Sequence, residues 1–174
     1  MLGNTKLVDY GIQTENSDIR VHVCPTARRI YYYNTSDGLD AIQTNKYRKV
    51  PVYTNGIKTA EGYLVPPDDI PGCMMIIPPI PGWHTYFNGN DTTSRKGELA
   101  TRLTKKLIEM GELRLKLNPV EINDLDMQIS GTDILIRADI KIQVKCDFNG
   151  GSKEFGGTGN LFLQIAECNP FRQT

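Results

Sequence analysis

An alternating run of polar side chains at residues 140–147 carries the residue types best suited to chemistry. Side chains alternate across a strand, so Gln143 and Lys145 share one face of this predicted strand. A second predicted strand, residues 132–138, precedes it and presents Asp133 on one of its faces. If the two strands pair, Asp133, Gln143 and Lys145 come together on one surface near the end of the pair.

An acid, an amide oxygen and a lysine together suit a divalent-metal site. Mg²⁺ takes oxygen ligands and retains several waters, so one or two protein carboxylates are enough, and a phosphodiester can complete the set. The metal would polarise the phosphate and orient an attacking water. Lys145 would hold or deprotonate that water, or neutralise charge developing on the phosphate.

A further acid, Glu98, falls in the first turn of the predicted helix and could orient the metal or the water. We therefore predict Asp133, Gln143 and Glu98 as metal ligands, and these three with Lys145 as the catalytic set. The alternative is purely structural. A half-polar antiparallel strand often has one solvated face, and an acid in the first turn of a helix is favoured by the helix dipole.

The order of helix acid, strand acid and Gln-x-Lys resembles the active-site pattern of the PD-(D/E)xK (restriction-endonuclease-like) nuclease superfamily. RKGELATRLTKKLIEMGEL is similar to its first helix, GTDILIRADIKIQVKCD to its two central strands, and GGTGNLFLQIAE to a later segment of some phage-type members. The resemblance spans roughly residues 90–168. It implies a mixed sheet flanked by helices, Mg²⁺ (or Mn²⁺) as cofactor, and DNA cleavage, with an endonuclease favoured.

The chain departs from this pattern in several places. Gln143 replaces the commoner glutamate, which removes one negative charge from the metal site. The stretch between Asp147 and the last predicted strand is short and glycine-rich, which leaves no room for the expected helix. Residues 1–89 resemble no family that we can name. Two alternatives therefore stay open: a catalytically inactive nucleic-acid-binding module with a nuclease-like fold, or a phage or defence-system interaction protein.

Hydrophobic periodicity predicts an α+β fold with one main helix and a β-rich N-terminal region, and the resemblance implies that the core is a restriction-endonuclease-like mixed sheet. The helix is predicted over residues 94–111, with a stripe of Leu99, Leu103, Leu107 and Met110. We divide the chain into a β-rich region (1–65), a proline-rich connector (66–89) and a nuclease-like core (90–174). Whether the first region is independent or extends the sheet of the core remains open.

The formal net charge is zero, which excludes a histone-like polycation but not a local binding face. Residues 20–58 carry a local balance of +5, interleaved with tyrosines, and residues 95–116 a balance of +4, while residues 117–139 are acidic. Basic side chains bind phosphates and exposed tyrosines can stack on bases. The predicted nucleic-acid contacts are Arg28, Arg29, Tyr32, Lys46, Arg48, Lys49, Arg95, Lys96 and Arg102. Cutting both strands of DNA would require a homodimer or two successive nicks.

Other site types find less support. The four cysteines form no Cys-x-x-Cys pair and the chain has only two histidines, which disfavours a zinc site. The glycine-rich residues 150–159 lack the Gly-Lys-Ser/Thr ending of a phosphate loop, so no nucleotide cofactor is expected, and a flexible loop that touches the substrate is the alternative.

The N-terminus lacks a secretory pattern and no apolar run is long enough for a membrane span, so we expect a cytoplasmic protein with reduced thiols.

Overall fold

The computed structural model describes residues 17–115 and 126–167, and these form an α+β structure. Within them lie a mixed six-stranded sheet, a three-stranded sheet and two α-helices. The strands and helices are β1 (Ile19–Cys24), β2 (Arg29–Asn34), α1 (Thr35–Ile42), β3 (Arg48–Thr54), β4 (Ile57–Val65), β5 (Met74–Ile76), α2 (Thr93–Glu109), β6 (Met127–Ser130), β7 (Asp133–Ile136), β8 (Ile140–Cys146) and β9 (Leu161–Glu167). No helix of the described part of the chain is long and apolar enough to cross a membrane.

Both sheets combine strands from the beginning and the end of the described chain. The six-stranded sheet has the order β5-β2-β1-β8-β7-β6, and the three-stranded sheet has the order β3-β4-β9. Strand β1 runs parallel to β8, whereas the other neighbours in both sheets are antiparallel. The described N-terminal strands therefore lie in the same sheets as the later strands.

Helix α2 covers one face of the six-stranded sheet. Its N-terminus is capped by Thr92, whose side chain accepts a hydrogen bond from the Arg95 N–H at 3.1 Å. Its buried face consists mainly of small side chains, namely Gly97, Ala100, Thr101, Thr104, Leu107 and Ile108. The predicted stripe is correct at Leu107, which is buried, and at Leu99 and Leu103, which pack partly buried against the core, but wrong at Met110, which is exposed. The small residues beside the stripe let the helix approach the strands closely.

The opposite face of the six-stranded sheet packs against the three-stranded sheet and α1. The apolar layer between them is formed by Cys24, Ala27, Tyr31, Tyr33, Ile42, Val65, Ile70, Leu161 and Leu163. Burial on both faces explains why β1 and β2 are almost continuously buried. It also means that the polar residues of these two strands on this side must find partners inside the protein.

Several local predictions are confirmed and others are corrected. The dipeptide Asn55–Gly56 between β-forming flanks predicts a hairpin, and it joins β3 to β4 with both residues at positive φ (53° and 81°). The residues 34–38 predict a turn, but they open α1 instead, and strand β6 was not predicted. Residues 147–160 contain one short 3₁₀ turn, Lys153–Phe155, and no α-helix. The strand predicted around residues 113–117 is irregular up to Leu115, and its remainder lies outside the described residues.

Candidate active site

The structure brings Asp133, Gln143 and Lys145 onto one surface. Asp133 of β7 and Gln143 of β8 are direct partners in the antiparallel register. Directly opposite residues have Cβ atoms about 4.5–5.5 Å apart and point to the same face of the sheet. Lys145 follows Gln143 by two residues on β8 and so shares that face. The predicted pairing and the shared face are therefore confirmed.

One oxygen of the Asp133 carboxylate is engaged and the other is not. Oδ2 lies 3.6 Å from the Lys141 ammonium, and both side chains are about one-third exposed (34% and 36%). Oδ1 is buried and has no hydrogen-bond partner among the described residues. A buried carboxylate oxygen normally has a partner, so Oδ1 provides an open acceptor for a cation or a donor. A metal ligand requires an acceptor of this kind.

Glu98 lies apart from this group. It belongs to α2, which packs on the other face of the sheet, and its side chain is half-exposed (49%). Its Oε1 accepts a hydrogen bond from Arg102 at 2.6 Å and lies 3.6 Å from Arg95. The structure therefore supplies Asp133 and Gln143 as a potential ligand pair, without Glu98. Within residues 17–115 and 126–167, no group of three or more His, Cys, Asp or Glu side chains could hold a metal ion.

A buried polar row lies beside the facing pair. In the parallel register of β1 with β8, Arg20 is the partner of Gln143 and His22 is the partner of Lys145. On its other side Arg20 is the partner of Tyr33 in β2. Arg20, His22 and Tyr33 are all at least 94% buried, within the layer between the two sheets.

These buried residues form a hydrogen-bonded chain that ends at Asp147. The His22 Nε2 atom is 2.6 Å from the Tyr33 hydroxyl, and Nδ1 is 3.4 Å from Asp147 Oδ2. The Phe162 N–H donates to Asp147 Oδ2 at 2.8 Å. One arrangement of protons satisfies these contacts: the Tyr33 hydroxyl donates to Nε2, while Nδ1–H donates to Asp147.

Burial alters the acid–base properties of this layer. Desolvation raises the pKa of the Tyr33 phenol well above its usual value, an effect that the neighbouring Arg20 charge partly offsets. Desolvation also lowers the pKa of Arg20. The phenol therefore stays protonated at pH values near neutrality.

The basic residues predicted to contact nucleic acid fall in three places. Arg28 and Arg29 lie at the β1–β2 turn, where the Arg29 guanidinium is 4.0 Å from the centre of the Phe155 ring. Lys46, Arg48 and Lys49 are exposed at the beginning of β3. The third group lies on the first half of α2 and comprises Arg95, Lys96 and Arg102.

The prediction that Tyr32 contacts nucleic acid is wrong. Its side chain is 3% exposed and packs in the core beneath α2, where its hydroxyl accepts a hydrogen bond from the Arg114 N–H at 2.8 Å. It therefore cannot stack on a base. Trp83 is buried in the same core and makes an edge contact with Phe87.

The grouping of the buried Arg20 and His22 with the partly exposed Asp147 was missed by sequence analysis. The alternation of Arg20 and His22 with Ile19, Val21 and Val23 was visible, but a polar face on a strand usually indicates solvent. Only the second sheet, laid over this face, makes the row internal. From its place at the polar end of β8 alone, Asp147 is predicted to be a surface residue, whereas its carboxylate joins β1, β8 and the start of β9.

The glycine-rich segment after β8 is a closed, hydrogen-bonded loop. Gly151 and Gly159 bond through their main chains to Asn160 and Gly151, respectively, and the Ser152 N–H donates to the Tyr31 hydroxyl at 2.9 Å. A Cβ atom on Gly157 would lie 2.4 Å from a main-chain oxygen. These contacts fix the loop on the sheet and hold Asp147 at its beginning.

Comparisons with known proteins give no relative: no family model, no curated protein and no solved structure matches the chain.

Proposed function

We propose that the protein is a Mg²⁺-dependent (or Mn²⁺-dependent) nuclease that hydrolyses phosphodiester bonds of DNA, most simply as an endonuclease with a restriction-endonuclease-like core. The observation that carries this proposal is the facing pair Asp133 and Gln143, with Lys145 on the same side of the sheet. The partnerless Oδ1 atom of Asp133 supports it, because an anionic oxygen without a donor is a natural cation ligand.

In this proposal each residue has a separate role. The Asp133 carboxylate and the Gln143 carbonyl oxygen hold the metal ion, whose chemistry is to polarise the phosphate and lower the pKa of a bound water. The Lys145 ammonium positions the attacking water and neutralises charge on the phosphate oxygens. The water oxygen forms a new bond to phosphorus, one ester P–O bond breaks, and the water proton passes to solvent or to the leaving oxygen.

The position of the site on the sheet fits a polymeric substrate. Asp133, Lys141, Gln143 and Lys145 are all partly exposed, whereas the neighbouring Arg20 and His22 are buried. The open part of the sheet can therefore receive a phosphate that is part of a long chain. Cleavage of both strands requires two protein copies or two successive nicks.

One observation favours a second candidate, a catalytically inactive nucleic-acid-binding module. The facing pair contains one carboxylate and one amide, and Glu98 lies on the other side of the sheet. A single negative charge holds Mg²⁺ more weakly than two. An inactive module would retain salt-sensitive DNA binding without metal-dependent cleavage.

Cleavage of plasmid, linear and single-stranded DNA and of RNA tests the proposal. Each substrate is incubated with purified protein in Mg²⁺, Mn²⁺ or EDTA. We expect cleavage only with metal, and we expect Asp133→Asn and Lys145→Ala to abolish it. Asp139→Asn is the matched control, because it removes the same charge from the exposed turn between β7 and β8. Failure to cleave any substrate would reject catalysis, and equal activity of all variants would reject this site.

A further inference from the structure

We infer that the hairpin formed by β3 and β4 binds duplex DNA by entering its major groove. We call residues 48–61 the basic ribbon. The inference deepens the proposed function, on which it rests, because it names duplex DNA as the form of the substrate and a surface that holds it. The evidence is the shape, the charge and the exposed apolar side chains of the ribbon.

The tip of the basic ribbon extends past its described pairing with β9. Among residues 17–115 and 126–167, β9 pairs with β4 from Ala60 to Val65, whereas the residues from Tyr53 to Lys58 pair with each other across the hairpin. All residues of β3 except Val50 are exposed, which shows that both of its faces are open. The positive φ angles of Asn55 and Gly56 fix the turn, so this shape is formed in advance of binding.

The ribbon carries more positive than negative charge. Arg48, Lys49 and Lys58 stand against the single acid Glu61, and Lys46 lies just before β3. Glu61 is shared by Lys58 at 2.7 Å and Lys49 at 3.5 Å, so one carboxylate faces two ammonium groups. The excess positive charge is complementary to a phosphate backbone.

Large apolar side chains accompany these charges. Val52, Tyr53 and Ile57 are 37%, 61% and 45% exposed, close to the turn. Lysine and proline on an edge strand can serve only to prevent aggregation. That role does not explain three exposed apolar residues at the tip, since they would promote association. A surface that meets both phosphates and the apolar parts of bases accounts for charge and apolar exposure together.

The dimensions of the ribbon favour a duplex over a single strand. The major groove of B-DNA is about 12 Å wide and admits a two-stranded β-ribbon. Inside the groove, Val52 and Ile57 would contact base edges and thymine methyl groups, while Arg48 and Lys49 would reach the flanking phosphates. A single strand would instead require a flat surface with stacked aromatic rings, and Tyr53 is the only exposed ring of the ribbon.

Fluorescence anisotropy with a labelled duplex in EDTA tests the inference without requiring catalysis. We compare the full-length wild type with Arg48→Ala/Lys49→Ala and with Tyr53→Ala over a range of NaCl concentrations. The matched control is Lys105→Ala/Lys106→Ala, which removes two charges from α2. Circular dichroism checks that every variant is folded. Competition with a major-groove dye and a minor-groove dye identifies the groove.

We expect the ribbon double variant to bind the duplex about tenfold more weakly, or worse, and its salt slope to fall by about 2, the value for two lost phosphate contacts. Tyr53→Ala should weaken binding without changing the slope. The α2 control should bind as the wild type does, and only the major-groove dye should compete.

Several results would overturn the inference. These are equal binding by the ribbon variant and the control, a preference of the wild type for single strands, or no binding to duplex DNA. The inference and the proposed function can fail separately. Ribbon-dependent binding without any cleavage would reject the nuclease alone, whereas metal-dependent cleavage with an unaffected ribbon variant would reject the ribbon alone.

Discussion

The Nε2 atom of His22 lies 2.6 Å from the hydroxyl of Tyr33, within the buried layer between the two sheets. The two residues belong to neighbouring strands of the six-stranded sheet, and the same imidazole reaches Asp147 on its other side. Since Asp147 also receives the Phe162 N–H of β9, this hydrogen-bonded chain links both sheets. It lies beside Gln143 and Lys145 and so forms part of the support of the candidate site.

Removing the Tyr33 hydroxyl should destabilise the protein. In Tyr33→Phe, His22 loses a buried partner, and an unsatisfied buried polar group costs about 1–3 kcal/mol. Urea denaturation at neutral pH should show a lower midpoint with an unchanged m value. Tyr86→Phe is the control, because the Tyr86 side chain is 73% exposed. Equal midpoints for the two variants would show that the hydroxyl contact does not contribute to stability.

Stability should decline at alkaline pH because buried acids keep their protons in the folded state. Burial raises the pKa of Cys73 and of Cys146 to about 12. The unfolded chain releases these protons near pH 8.5, so this stability is complete below about pH 8.5 and is lost as pH rises towards 12. Measured between pH 7 and pH 10.5, the melting temperature should be constant up to about pH 8.5, where the thiols of the unfolded chain titrate, and should then fall.

The variant Cys73→Ala isolates the contribution of one thiol to this decline. With one titrating group fewer, its melting temperature should fall less steeply above pH 9 than that of the wild type, whatever the difference between them at pH 7. Parallel curves for the two proteins would contradict the assignment, because lysines and exposed tyrosines titrate alike in both.

The contact between Gly150 and Asp147 should tolerate no additional carbon. A Cβ atom at Gly150 would lie 2.5 Å from the Asp147 carboxyl carbon. Gly150→Ala must therefore displace the carboxylate from Phe162 and His22, at a cost of about 1–3 kcal/mol for overpacking. Gly89→Ala is the matched control, since its Cβ would meet only ordinary contacts at 3.7 Å. Chemical denaturation should separate the two variants, and equal stability would show that Asp147 moves freely.

Much of the candidate site follows from the sequence because it depends on local rules. Alternation along β7 and β8 and the short turn between them predict that Asp133, Gln143 and Lys145 share a face, as the register confirms. The Asn55–Gly56 hairpin follows from the turn preferences of its two residues in the same way.

The parts that the sequence does not predict depend on contacts between distant segments. No local sequence pattern shows that β1 pairs in parallel with β8, or that β9 pairs with β4 in the three-stranded sheet. Those pairings bury Tyr32, which we predicted as a nucleic-acid contact, and His22. The position of Glu98 also depends on a distant contact, because helix periodicity does not show which face of the sheet α2 covers.

Glu98→Gln should leave metal-dependent cleavage unchanged if the proposed nuclease activity is present. The Glu98 carboxylate contacts Arg102 and Arg95 on the exposed side of α2, whereas Asp133 and Gln143 lie on the far face of the sheet. Loss of this exposed ion pair should cost no more than about 0.5 kcal/mol of stability. The measurement is the initial cleavage rate beside Asp133→Asn. Loss of activity in Glu98→Gln would show that Glu98 does contribute to the active site.

Gln143→Glu should strengthen metal binding at the facing pair. The substitution places a second carboxylate opposite Asp133, and Mg²⁺ and Mn²⁺ bind charged oxygen ligands more tightly than amide oxygens. Lys141 and Lys145 lie on the same face and temper the repulsion between the two acids. Calorimetric titration with Mn²⁺ should therefore give a several-fold lower Kd, and the metal requirement for cleavage should fall in parallel. Gln43→Glu adds the same charge at the exposed end of α1 and should change neither quantity. Unchanged Mn²⁺ affinity in Gln143→Glu would show that residue 143 does not contact the ion.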